Sequence, residues 1–398
     1  MRIAIAGAGI AGLTTALALA ARGIDVDIHE QAGQLGELGA GLQLSPNGTR
    51  VLQQLGLEDA LRPLVCEAAL KEIRLYSSGQ RWKLFDLGED CRARFGAPYW
   101  MVHRGDLHRV LLDAVRASAR VRVQLHARVM RSHSQADHVE FTLADGSTHS
   151  ADALLACDGV HSVLREQLLG EDKARFTGLL AWRGLVPMDA LPASLRPPPG
   201  QPVGTNWVGP GGHVITYPVR GGTLMNVVGI VERAEWTTES WTQPGSQAEL
   251  QADFGHWHAD VQTLMGAIAQ PFQWALLGRT PRPGWAQGRV CLLGDAAHPT
   301  LPFLAQGANM AIEDAAVMAA CVAGHADITQ ALARFEALRF ERTAQIVNRS
   351  ADNAARFHNP RLAEPDYAVH YINTEWESEK VRRRYDWLFD YNALAVAA

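Results

Sequence analysis

The stretch Gly7-Ala8-Gly9-Ile10-Ala11-Gly12 decides the fold. Ile3–Ala6 before it reads as a buried strand, and Ala11–Ala21 after it as a helix of small and aliphatic residues stopped by Gly23. Val26–His29 reads as the next strand. A strand–helix–strand unit of this kind builds a parallel sheet with a right-handed crossover. Gly7 then permits the tight turn, Gly9 lets a pyrophosphate approach the backbone, and Gly12 allows the helix to pack closely on the strand. The helix N-terminus offers unpaired N–H groups to the phosphates. Glu30 closes the second strand, where an acid commonly holds a ribose hydroxyl pair. The alternative is a glycine-rich turn beside a surface glutamate, but Ala16, Leu19, Gly23 and Val26 carry the packing pattern of the nucleotide-binding unit. A dinucleotide with an unphosphorylated ribose is expected, and FAD and NAD both qualify.

The chain around this unit has 398 residues, enough for two or three domains with sizeable cores. A hydrophobic share of 47% and a charged share of 20% argue against extensive disorder. The formal net charge of -5 leaves no basic excess for a nucleic-acid backbone. Five cysteines stand singly with no Cys-x-x-Cys, so neither a disulfide framework nor a zinc ribbon is indicated. No stretch has the length of a membrane span or of a signal peptide, which makes a reducing cytoplasm the default location.

Farther along, Pro46–Leu55 and Arg104–Ser118 read as helices. Lys71–Phe85 alternates like antiparallel strands, and Val121–Leu125 opens a strand series whose Ala144-Asp145-Gly146-Ser147 signals a hairpin. Leu179 to Leu277 is β-rich, with strands at Val203–Val208, His213–Val219 and Leu224–Val231, followed by one helix over Glu249–Ala269. Arg289–Leu293 is a strand, and helices dominate from Ala308 onward. The expected fold is α/β: a Rossmann-like nucleotide-binding domain (1–72, 98–178 and 278–350), a β-rich second domain interleaved with it (73–97 and 179–277), and a helical C-terminal segment (351–398).

Two further motifs distinguish FAD from NAD. Leu154–Ala156 is an apolar strand running into Cys157-Asp158-Gly159, with Ser162 and Arg165 opening a helix. Arg289–Leu293 delivers Gly294-Asp295 at a carboxyl strand end, the place where open α/β sheets bind ligands, and Pro302 and Gly307 follow. Asp295 can accept a hydrogen bond from a ribitol hydroxyl, and the run to Gly307 supplies N–H groups at the start of the Ala308 helix to an electron-rich flavin edge.

With these three motifs in order, and with Phe335-Glu336-x-x-Arg339-x-x-Arg342 behind them, residues 1–350 resemble the single-component flavoprotein aromatic hydroxylases, of which para-hydroxybenzoate hydroxylase is the reference member. Gly39–Asn47, His103-Arg104-Gly105-Asp106-Leu107 and Tyr385–Tyr391 are similar to the branch acting on salicylate, 3-hydroxybenzoate and 6-hydroxynicotinate. The resemblance implies FAD as cofactor, NADH or NADPH as co-substrate, and O2 activated as a flavin C4a-hydroperoxide that attacks a small phenolic or hydroxypyridine ring. It implies cofactor contacts from Gly7, Gly9, Gly12, Glu30, Arg104, Asp158 and Asp295, with Gly307, Ala308 and Asn309 beside the isoalloxazine. Ser162 and Arg165 brace the Asp158 turn.

The implied substrate pocket takes in Gln43, His213, Tyr217, Pro302 and Phe303, with His213 and Tyr217 as the acid/base candidates. Positions four apart in a strand share a face, and a histidine suits removal of a phenolic proton near neutral pH. A solvent-facing His213 beside a buried Tyr217 is the competing reading. His298 either shapes the flavin site or supports it. His256-Trp257-His258 is not assigned a metal, because His-x-His in one helix does not share a face. Leu301-Pro302-Phe303-Leu304 is more apolar than the branch pattern, and no carboxylate-binding arginine stands out. The expected partners are a small aromatic compound and O2, with no nucleic acid, for a monomer or homodimer. An FAD-dependent dehydrogenase or reductase and a non-catalytic flavin-binding protein remain as alternatives.

Overall fold

The computed structural model describes residues 1–36, 40–234 and 243–396; Gly39 of the Gly39–Asn47 motif lies outside them. Its nucleotide-type sheet has the order Ala286–Gln287, Val290–Leu292, Ala153–Ala156, Arg2–Ala6, Asp25–His29, Val121–Gln124. All neighbours are parallel except the antiparallel edge strand Ala286–Gln287. The strands at the centre are apolar because both faces are covered. Helices Ile10–Ala20, Arg104–Ala117 and Gly307–Gly324 pack together against it. The antiparallel meander Val129–Ser134, Val139–Leu143 and Thr148–Ala151 lies against His29 through Phe141 and His149.

The second sheet has eight strands in the order Gln243–Pro244, Phe272–Gly278, Arg175–Pro187, Leu224–Glu232, Gly212–Val219, Val203–Gly209, Leu70–Leu75, Arg81–Asp86. Strand alternation gives its two faces different chemistry. Trp182, Trp207, Val214 and Val227 form one core with Phe254, Trp257 and Leu264 of the helical stretch behind them. The opposite face carries Arg183, His213, Tyr217 and Asn226, as the registers Arg183↔Val228, His213↔Ile230 and Tyr217↔Asn226 require. The helix expected over Glu249–Ala269 is two helices, Gln247–Phe254 and Ala259–Gly266. Trp257 turns into the core at the break, and His258 accepts from the Asp260 N–H as N-cap of the second helix.

The 30-residue helix Ile328–Phe357 docks on Gly307–Gly324 through buried charge. Arg339 binds Glu313 and Asp314, each at 2.7 Å, with all three side chains fully buried. Asp314 also accepts from His298 at 2.6 Å and from the Gly294 N–H at 3.0 Å. Burial pushes the Asp314 carboxyl up, but His298 and Arg339 outweigh it and hold the group down at about 2. Breaking a buried ion pair from one side is costly because a desolvated charge is left behind. Asp314→Ala is expected to destabilise the fold by about 3–5 kcal/mol, read from urea unfolding. A change within experimental error would show that the network carries no net stability.

Candidate active site

The cofactor-type turn is built as its glycines demand. Gly7 has φ +100°, a conformation that favours glycine, and a Cβ there would stand 2.5 Å from the Cys157 carbonyl oxygen. A Cβ on Gly12 would strike the Gly7 carbonyl oxygen, whereas the space beside Gly9 is open to 4 Å. Glu30 accepts from the N–H groups of Ala8 at 2.7 Å and Ala32 at 2.8 Å, which fixes its carboxylate beside the turn. Each carboxylate oxygen retains a lone pair for a hydroxyl donor.

Two aspartates stand at the carboxyl ends of neighbouring strands. Asp158 follows Ala153–Ala156, and its Oδ1 is buried without a protein partner. Burial raises its pKa, against hydrogen bonds from Ser162 and the nearby backbone. Asp295 follows Val290–Leu292 on a turn where Gly294 has φ +59°. The Asp295 side chain is exposed, with protein groups close around it. Loss of surrounding water raises its pKa, and the fields of His298 and Arg104 oppose the rise. Arg104 opens the helix Arg104–Ala117 and donates its backbone N–H to Ala40 O at 2.9 Å. Ser162 caps the helix after Asp158 as expected. Arg165 braces that turn only through its backbone N–H, which donates to Ser162; its guanidinium instead binds the carbonyls of Ala296 and Ala297 at 2.8 and 2.7 Å and pairs with Asp172. It therefore ties the second aspartate motif to the first. His298 is engaged with Asp314, a supporting position.

Gly307 and Ala308 open the next helix. The Asn309 amide is fully engaged: it donates to Gln43 O at 3.0 Å and Ala305 O at 2.7 Å, and it accepts from Ser45 N at 3.1 Å. Its side chain joins the strand Gly41–Leu44 to the loop before the helix, leaving backbone N–H groups as the polar offering of this turn.

His213 and Tyr217 do share a face, and both are buried, which removes the solvent-facing reading of His213. A Cβ on Gly41 would fall 2.5 Å from the Tyr217 ring, so glycine makes room for it. Burial pushes the Tyr217 hydroxyl up to about 12, despite Arg183 nearby and a hydrogen bond with Gln43. Gln43 in turn accepts from the Tyr99 hydroxyl at 2.7 Å. The His213 ring lies among Phe303 (5.3 Å), Phe357 (5.0 Å) and His358 (4.9 Å). Its Nδ1 is 2.6 Å from His358 Nε2, and its Nε2 has no partner. Burial first, and His358 second, hold its pKa well below the usual value. Pro302–Leu304 is a single 3-10 turn that brings Phe303 against His213.

Four residues on this wall escaped the sequence reading: Arg183, Lys71, His358 and Asn226, whose Oδ1 accepts from Gly41 N at 2.7 Å. Arg183 lies with its guanidinium 3.8 Å from the Trp274 ring centroid and its Nε buried without a partner. Burial lowers it to about 10. Lys71 sits 5.1 Å from the Tyr99 ring, lowered by burial to about 7. His358 caps the long C-terminal helix. Arg183 was legible in principle: in Ala181-Trp182-Arg183, alternation places the arginine opposite the buried Trp182. His358 had no local signal.

Thus Nε2 of His213, Nε of Arg183 and Nδ2 of Asn226 are buried and unpaired on one face of one sheet. Buried polar groups are nearly always satisfied, so these three atoms are exceptions on a single sheet face.

Comparison with known proteins gives a consistent result. Residues 1–350 match the family described as FAD binding domain. The chain is 40% identical to the 3-amino-4-hydroxybenzoate 2-monooxygenase PtmB3 of Streptomyces platensis, over 90% of this chain and 89% of that protein. It is 36% identical to the 6-hydroxynicotinate 3-monooxygenase of Bordetella bronchiseptica, over 88% of this chain and 91% of that protein. The structure of Klebsiella pneumoniae HpxO complexed with FAD and uric acid superposes with a TM-score of 0.82 at 30% identity, covering 99% of this chain and 97% of that one.

Proposed function

The chain belongs to the FAD-binding family of single-component aromatic-ring monooxygenases, and on that premise we propose that it uses NADH or NADPH and O2 to hydroxylate a small phenolic or hydroxypyridine acid. The supporting observation is the set of three unpaired polar atoms, from His213, Arg183 and Asn226, on the sheet face that bears Tyr217. A bare imidazole nitrogen suits a ring hydroxyl donor, and a guanidinium with an unpaired N–H suits a carboxylate.

The residues fit FAD. The open space at Gly9 and the N–H groups at the start of Ile10–Ala20 suit the pyrophosphate, between the turn glycines Gly7 and Gly12, and Glu30 suits the adenosine ribose. The exposed Asp295 suits the ribitol, the unpaired Asp158 Oδ1 takes a further polar contact, and Arg104 supplies positive charge near Asp295. Gly307, Ala308 and Asn309 offer backbone N–H groups toward the flavin. When bound, FAD supplies the reductive activation of O2 for insertion into the ring. The chain's residues do the rest. Arg183 orients the ring through its acid group, and Tyr217, held by Gln43, hydrogen-bonds the ring substituents. His213 Nε2 takes the hydroxyl proton, which makes the ring electron-rich. Phe303 and Leu304 exclude water.

The remaining assignments follow the same reading. The FAD-binding part is 1–72, 98–178 and 278–350, with 73–97 and 179–277 forming the substrate part, except that the strands Leu70–Leu75 and Arg175–Pro187 go whole with the second sheet. We place the protein in the cytoplasm, in keeping with five buried free thiols and with the absence, among the described residues, of any helix long and apolar enough to cross a membrane.

The test is to screen hydroxybenzoates, aminohydroxybenzoates and hydroxynicotinates for stimulated NAD(P)H oxidation with product identification. NAD(P)H oxidation indifferent to every ring, with no hydroxylated product, contradicts the proposal. Asp295→Ala should weaken FAD retention by roughly 5- to 150-fold, the equivalent of about 1–3 kcal/mol for one lost partner, with the melting temperature of the FAD-free protein unchanged; unaltered affinity removes Asp295 from the site. Arg183→Met should raise KM for ring acids by about 10- to 100-fold, the range for a hydrogen bond to charge, and leave the decarboxylated phenols unaffected. An equal effect on both classes would show a structural role. His213→Ala should keep FAD and lower hydroxylation by about 10²- to 10⁴-fold. That loss should shrink toward pH ~10, where phenols ionise unaided; a uniform loss across pH would exclude a base at this position.

A further inference from the structure

His213 is a poor final resting place for a proton. It is 0% exposed, and its charged form is disfavoured by burial and by the neighbouring imidazole. A base in such a position has to pass its proton on. The only polar group against its ring among the described contacts is His358; its other ring neighbours, Phe303 and Phe357, can take no proton. His358 is itself buried, which lowers its pKa and favours the neutral imidazole while Glu232 opposes the shift, and its Nδ1 faces Glu232 Oε1 at 3.2 Å. Glu232 ends the strand Leu224–Glu232, and its side chain is 59% exposed, so the line runs from the pocket wall to water.

The carboxylate also fixes the protons along that line. Glu232 only accepts, so the neutral His358 must carry its hydrogen on Nδ1, which leaves Nε2 bare. The 2.6 Å contact then requires the hydrogen of His213 on Nδ1, so the unpaired His213 Nε2 is a lone pair, the form that accepts from a hydroxyl.

We propose that His358 and Glu232 form a proton exit from the ring-binding pocket, and that they set the tautomer of His213. The proposal rests on His213 being the group that takes the ring proton. The phenol O–H bond breaks and an N–H bond forms at His213 Nε2. The His213 Nδ1 proton moves to His358 Nε2, the His358 Nδ1 proton moves to Glu232, and Glu232 releases it to water. Phenol becomes phenolate, and both imidazoles end neutral in the opposite tautomer. A proton returning along the line to the product oxygen resets them. His358 and Glu232 touch neither ring nor cofactor and act through His213 as positioning residues.

The experiment uses FAD-loaded protein in weak buffer, mixed with 3-amino-4-hydroxybenzoate in a stopped-flow instrument carrying a pH indicator. Wild type should release a proton to solvent in a fast phase. In His358→Gln the amide oxygen can still accept from His213 Nδ1 but cannot relay, so the release should slow by about 10-fold or more while FAD and ligand remain bound. His358→Ala should slow it similarly and recover with added imidazole. Glu232→Gln, at an exposed position that leaves the core intact, should slow it and lower the pH at which His358 charges, since a carboxylate beside an imidazolium is lost. Wild-type release rates in both His358→Gln and Glu232→Gln, with His213→Ala alone impaired, would overturn the exit and leave the base assignment standing. A wild-type holoenzyme that binds this ring and releases no proton would overturn the base assignment and the exit together.

Discussion

Arg339, wholly buried between Glu313 and Asp314, is the contact on which the arrangement of this molecule depends. Each carboxylate has a second duty. Asp314 grips the Gly294 N–H and His298, and so sets the turn that presents Asp295. Glu313 accepts from Asn47 at 2.6 Å at the head of the Pro46–Gln54 helix, and from Arg342, whose guanidinium lies 3.7 Å from the Tyr391 ring centroid. One paired-charge cluster therefore registers the Gly294 turn, the Pro46–Gln54 helix and the C-terminal tail against one another. Buried ions hold such a register because misplacing any one of them strands an unsolvated charge.

The same long helix that carries Arg339 ends at His358, beside His213. On this single element the middle locks the Gly294 turn and the Pro46–Gln54 helix through Asp314 and Glu313, and the end reaches the eight-stranded sheet. The sheet separates its duties by alternation. One face is hydrocarbon under Phe254 and Trp257, and the other offers a cation, an amide, a phenol and an imidazole. A ring held on that second face meets a polar wall that is rigid, because its strands are central in an eight-stranded sheet.

What could be read from sequence follows from how local each cause is. Gly7, Gly9, Gly12 and Glu30 act within one strand–helix–strand unit, so their spacing carried the fold and the cofactor class. His213 and Tyr217 were legible as a same-face pair because a strand repeats every two residues. His358 was invisible, since it meets His213 from 145 residues away. Arg165 was assigned to the nearer aspartate because sequence proximity suggested it, whereas its guanidinium crosses to Ala296 and Ala297. The single helix expected over Glu249–Ala269 failed because Trp257 gains more by turning into the core than the backbone gains by continuing.

Ionisation of the ring hydroxyl by the buried imidazole of His213 is the step on which the proposed chemistry depends. It is tested most directly by the absorption spectrum of a nitrophenolic acid, 4-hydroxy-3-nitrobenzoate, bound to the oxidised FAD-loaded protein and titrated over pH. The account predicts that the bound ring shows its phenolate band at a pH below the one at which it ionises in free solution, and that His213→Ala returns the transition toward the solution value. A bound ring that stays protonated as readily as in water, or a shift that survives His213→Ala, would contradict it.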